Sequence, residues 1–225
     1  MLFDLRSRGR RRTVQTVYLG LAILMGGGLV LFGVGAGNGF GGILNAFTGN
    51  GSSSAQKQVV SQQETAALRQ TQQEPNNPQA WANLLQARWT SAGQGSNYNP
   101  NTGTFTASGK QELTRATQAW QRYRQLVSSP DPNLAVLAAR AYAALGDYGQ
   151  SADAWEQMTV ASPNESKAFE CLAVTAYAAG QTRKGDLATA KALNLIPKAQ
   201  QASAKQSLKQ AKTSQSSAQQ LAQGC

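Results

Sequence analysis

Two turn signals in this chain repeat at a fixed distance. Gly146 returns as Gly180 and Pro163 returns as Pro197, each 34 residues on. The stretches they bound are "LGDYGQSADAWEQMTVASP" (145–163) and "AGQTRKGDLATAKALNLIP" (179–197). A fixed period limits the fold to a stack of supersecondary units. One unit cannot bury its apolar face alone, so its neighbours must cover it. Apolar residues within each unit fall at helical rather than alternating spacing, so the expected fold class is all-α.

The clearest unit spans 132–165. It places Ala139 and Ser151 where two helices must approach closely, Tyr142 and Trp155 where the gap must be filled, Gly146 in the turn and Pro163 at the end. Small residues at crossing points let antiparallel helices close, and large ones fill the space to the next unit. The following unit, 166–199, carries Phe169, Leu172, Ala173, Gly180, Ala192, Leu193 and Pro197, with its aromatic, Tyr177, one residue late. An earlier unit starts at Pro78 with Trp81 and Leu84, and its second helix holds Ala116 and Trp120. Between those two helices lies an insertion, 93–110, about 19 residues beyond a 34-residue unit.

Over 78–199 this order of small and aromatic sites resembles the tetratricopeptide repeat. The resemblance implies a helical-hairpin solenoid. Taken with the N-terminus described next, the chain resembles a group of bacterial membrane-anchored tetratricopeptide proteins, which implies partner binding at the cell envelope.

The N-terminal stretch "MLFDLRSRGRRR" sets five arginines, Arg6, Arg8, Arg10, Arg11 and Arg12, against Asp4 alone, and no charged residue follows from Thr13 to Gln56. A membrane span needs about 20 apolar residues. Residues 14–37 meet that length, and the positive-inside rule keeps the arginines cytoplasmic. The expected organisation is a basic cytoplasmic segment (1–13), a single transmembrane signal anchor (14–37), a Gly/Ser/Asn linker (38–56) and a repeat domain (57–199) outside the plasma membrane. A signal peptide cleaved after Val34-Gly35-Ala36 is the rival reading, although its apolar stretch is longer than such segments usually are. Ala22, Gly26, Gly33 and Gly37 have the spacing that lets two membrane helices approach, which would permit a homodimer through the span. Glycine is also simply commoner in membrane helices.

Charge is unevenly placed. Residues 57–182 hold nine basic and nine acidic side chains, whereas from Arg183 onward seven basic residues face only Asp186. The Ala/Gln/Lys-rich segment 200–225 reads as a capping helix over the last repeat followed by a disordered tail, since solenoids need a polar cap. Its lysines are either a solvated, solubilising face or an attraction for anionic lipid or wall polymer. An outside location disfavours nucleic acid as a partner.

The chain contains no histidine, which removes the commonest general base and metal ligand. Its two cysteines, Cys171 and Cys225, form no CxxC pair and no disulfide framework. Cys171 sits in the apolar run "FECLAVTAY" and reads as a small buried thiol; Cys225 reads as an exposed thiol in a polar tail. In the insertion, "NYNPNTG" lacks the carboxylates of a calcium loop and reads as turn chemistry, with Tyr98 and Phe105 pinning an ordered loop to the helices. No enzymatic activity, metal or cofactor is expected.

Function is therefore expected on a surface. The resemblance assigns a concave face to the first helix of each unit: Gln79, Gln86 and Trp89; then Asn133 and Arg140; then Lys167, Glu170, Val174 and Tyr177. Some family members clamp a C-terminal carboxylate with lysine and asparagine. Only Lys167 matches that pattern, with Ala82, Gln86, Leu137 and Cys171 at the other sites. The expected function is a membrane-anchored scaffold that binds a protein or peptide partner through this face. The alternative is an envelope chaperone helper that holds translocated clients, recognisable by promiscuous binding of apolar peptides.

Overall fold

The computed structural model describes residues 53–225, and side chains from Val60 onward. The basic N-terminal segment, the 14–37 span and the linker as far as residue 52 lie outside the described residues. Among those described, no helix is long and apolar enough to cross a membrane.

The described chain is all-α apart from one small hairpin. Its helices are α1 (Ser53–Gln73), α2 (Pro78–Ala92), α3 (Ala107–Leu126), α4 (Pro132–Leu145), α5 (Tyr148–Ala161), α6 (Ser166–Ala178), α7 (Thr182–Leu195), α8 (Lys198–Thr213) and α9 (Gln215–Gln223). The helices up to α7 pack mainly on their sequence neighbours: α2 on α3, α4 on α5, α6 on α7, with α1 laid on α2 and α5 on α6. Two boundaries differ from the sequence reading. Helix α1 begins at Ser53, inside the expected linker, and the tail end expected to be disordered is helix α9.

The repeated glycines do the same work twice. Gly146 has φ +83° and Gly180 φ +74°, a left-handed region that side chains with a Cβ rarely enter. After α4, the Gly146 N–H donates to Ala143 O (3.0 Å) and the Asp147 N–H to Tyr142 O (2.9 Å). After α6, Gly180 and Gln181 donate in the same way to Tyr177 O (3.0 Å) and Ala176 O (2.8 Å). Both helices end in a Schellman motif, which satisfies carbonyls left open at the helix end and turns the chain back. Starts are as local: Pro132 follows Asp131, whose carboxylate accepts from the N–H groups of Asn133 and Leu134 (2.8 and 3.2 Å), and Asn77 caps α2 ahead of Pro78.

Between the paired helices, small residues meet as expected. Ser151 and Ala139 are both fully buried, and Ser151 Oγ donates to Ala139 O at 2.8 Å. Trp120 and Trp155 are 1% and 4% exposed. The insertion folds as a two-stranded antiparallel hairpin, β1 (Tyr98–Asn99) with β2 (Thr104–Phe105), in which Tyr98 faces Phe105. Phe105 lies 5.2 Å from Tyr98 and 6.2 Å from Trp89, ring centre to ring centre, which fastens the hairpin to α2. Helix α1 is tied on by charge. Arg88, 8% exposed, lies 2.6 Å from Glu64 of α1 and 2.7 Å from Glu112 of α3. Two carboxylates around one buried guanidinium satisfy it; losing one would leave charge poorly compensated.

Candidate interaction surface

The first helices of the last two hairpins, α4 and α6, present a face that the chain itself covers. Helix α9 packs against both α6 and α4. Ser214 starts it by accepting from the Ser217 N–H (3.2 Å). Its inward side is made of small groups: Ala218 and Ala222, one helical turn apart, are 0% and 2% exposed, and Cys225 is 9% exposed. Leu221, its large apolar residue, is 36% exposed.

Three links hold α9 in place. A disulfide joins Cys225 to Cys171 of α6, with the Cα atoms 5.6 Å apart. Arg140 of α4 donates through Nε to Cys225 O at 2.8 Å. Gln215 donates through Nε2 to Ala178 O, at the end of α6, at 3.1 Å. The start of α9 therefore meets the end of α6 and its end meets the middle of α6, so the two helices run antiparallel. Helix α8 lies beside α6 and α7, burying Leu208 and Ala211, and the Gln201 amide caps the carbonyls of Leu193 and Ile196 (3.1 and 3.0 Å) at the end of α7. The first half of the tail is thus a helix laid along the last hairpin.

The cysteine reading is corrected. No free thiol is present among the described residues: Cys171 is the buried half of a disulfide and Cys225 is its partner across 54 residues. Sequence spacing at that distance specifies nothing, because pairing depends on how the intervening helices fold.

The expected surface residues separate into three groups. Gln79, Asn133 and Lys167 are exposed; Gln79 reaches Asn83 (2.9 Å), and Lys167 lies 3.6 Å from the half-buried Glu170. Gln86 is half-buried, as is Trp89, which packs on Phe105 of the hairpin. Arg140 is exposed like the first three and donates to Cys225 O of the α9 segment. Val174 and Tyr177, each 6% exposed, are not free anchors. Val174 shares the α6 stripe of Cys171 and Ala178, the stripe that α9 covers. Tyr177 turns into its own hairpin: its hydroxyl donates to Asp186 Oδ1 (2.8 Å) and lies 3.1 Å from Thr189 Oγ1. Gly185 makes the room, since a Cβ there would run into the Tyr177 ring. Gly185 stands 34 residues after Ser151, so the repeat register itself held the signal for this displaced aromatic.

Electrostatics follow this packing. Burial pushes the Tyr177 hydroxyl up to about 12, with the neighbouring Asp186 adding to the shift. Lys212 of α8 and the Tyr177 hydroxyl hold the Asp186 carboxyl below its ordinary value. A raised tyrosine favours the neutral folded form, so its contribution is complete below pH 10 and is lost as pH rises through about 12. Tyr177→Phe is expected to make the alkaline limb of a stability–pH curve shallower in that window. Urea titrations between pH 8 and 12 measure it, and parallel wild-type and variant limbs would refute the assignment.

Among the described residues no cluster of acidic, cysteine or histidine side chains is suited to hold a metal ion. No protein-family profile, curated protein or solved structure matches this chain.

Proposed function

We propose that this protein is a membrane-anchored, tetratricopeptide-like scaffold that docks a helical segment of a protein partner on the face of its first helices, outside the plasma membrane. The observation that carries this reading is α9. The α4–α6 face already receives a helix with small residues, held by side-chain hydrogen bonds from Arg140 and Gln215. Gln79 and Asn133 extend the first-helix face beyond α9 and are exposed. The disulfide supports the location, since such bonds persist in oxidising compartments outside the cytoplasm. The arginine cluster before an uncharged span supports the anchor. A promiscuous holdase would need a broad apolar groove; a face closed by alanines favours selective docking instead.

Photo-crosslinking in intact cells tests the reading. A crosslinker placed at Gln79 or Asn133 should trap a defined partner, whereas one at Val160, 74% exposed on α5, should not. Equal trapping from both positions would sink the docking face. Protease added to spheroplasts should remove the repeat domain, and protection of that domain would sink the topology.

A further inference from the structure

The geometry points to residues 215–225 as a disulfide-latched occupant of the α4–α6 face, so that opening this part of the face requires thiol–disulfide exchange at Cys225. This rests on the docking reading above and gives it a control element.

Helix α9 has little to hold it except the covalent bond. It is nine residues long, and an isolated helix of that length is marginal in water. It buries two alanine methyls, leaves Leu221 36% exposed at the edge of the contact, and otherwise presents glutamine and serine. Its two hydrogen bonds to α4 and α6 replace bonds that water would supply. Ordering a segment costs conformational entropy at every residue, which so small an apolar contact offsets poorly. The Cys171–Cys225 bond makes that docking effectively intramolecular at very short range.

The chemistry is two-electron exchange with a protein dithiol. A thiolate of the reductant attacks Sγ of Cys225, which is 9% exposed while Cys171 is fully buried. A mixed disulfide forms, and Cys171 leaves as a thiolate and takes up a proton. The second thiol of the reductant then attacks the reductant's own sulfur in the mixed disulfide and releases Cys225 as a thiol. The dithiol ends oxidised and both protein cysteines end reduced. Once α9 leaves, the buried Cys171–Val174–Ala178 stripe is uncovered, and the exposed Arg140 beside it loses the Cys225 carbonyl as its acceptor. That surface fits a partner helix with small residues one turn apart and a carbonyl or carboxylate acceptor at its end.

Hydrogen exchange on the full-length protein in detergent, oxidised and after dithiothreitol, tests the latch without any partner. In the oxidised protein α9 amides should be protected. After reduction they should exchange within about ten-fold of unstructured rates, while α4 and α6 amides stay at least about a hundred-fold protected. Unchanged α9 protection would overturn the proposal, and so would α9, α4 and α6 opening in step, which would make the bond a staple of the whole fold. Access to the face is read separately with a labelled synthetic peptide of residues 214–225 carrying serine for Cys225. The full-length triple variant Cys225→Ser, Ala218→Glu, Ala222→Glu should bind it at least about ten-fold more tightly than the oxidised wild type. Adding Arg140→Ala should weaken that binding several-fold. Equal binding by the oxidised wild type, or none by a triple variant whose α4 and α6 remain protected, would overturn it. Loss of the crosslinked partner with the latch result intact would overturn only the docking reading.

Discussion

Trp155→Ala is expected to destabilise the domain by about 3–5 kcal/mol, the range for emptying a large aromatic site in a packed core. Trp155 is 4% exposed on α5 and belongs to the continuous core that also holds Ala138, Tyr142 and Leu172. That core is rich in alanines on helices, whose short side chains cannot lean far into a hole, so the cavity term should add to the lost transfer energy. Against an ordinary domain stability of roughly 5–15 kcal/mol, the variant would stand near the edge of folding. Urea titration of wild type and variant measures the difference. A change below about 1 kcal/mol would mean that Trp155 does not fill the space between α5 and its neighbours.

Cys225→Ser is expected to cost about 2–4 kcal/mol. The bond closes a loop across 54 residues, and the chain-entropy account gives about 4 kcal/mol for a loop of that size. The measured loss should fall below that figure if α9 comes free on loss of the bond, because the folded state then regains the freedom of α9 as well. Thermal or urea unfolding of the oxidised protein, the reduced protein and the Cys225→Ser variant should rank the oxidised form highest and place the other two together. Oxidised and reduced proteins with identical midpoints would show that the bond constrains neither state.

Where the sequence was legible, each signal was one strong local preference repeated. Gly146 and Gly180 terminate α4 and α6 by the same pair of backbone hydrogen bonds, and only glycine meets that conformation without strain. Ser151 against Ala139, and the buried Trp120 and Trp155, occupy the small and large sites that the 34-residue register assigned. Tyr98 and Phe105 fasten the insertion, although the hairpin between them had no alternating apolar pattern to announce it.

The covered face was illegible for a physical reason. A helix that seats itself with two alanines and a cysteine has almost no hydrophobic periodicity, so α9 reads as polar tail. Its position depends on a covalent bond between residues that are distant in sequence. The same blindness put Val174 and Tyr177 on an open surface. One is buried on the stripe beneath α9, and the other turns toward the gap left by Gly185. Arg140 was read as a partner-binding residue, and what its side chain binds is the chain's own Cys225.

Disulfide mapping of the full-length protein, with free thiols alkylated at lysis and digestion under non-reducing conditions, tests most directly whether residues 215–225 are locked onto the α4–α6 face. A single cross-linked pair of peptides containing Cys171 and Cys225 from one chain, with neither cysteine alkylated, is the predicted result. Alkylation of both cysteines in the unreduced protein, or Cys225 joined to a second chain, would contradict it.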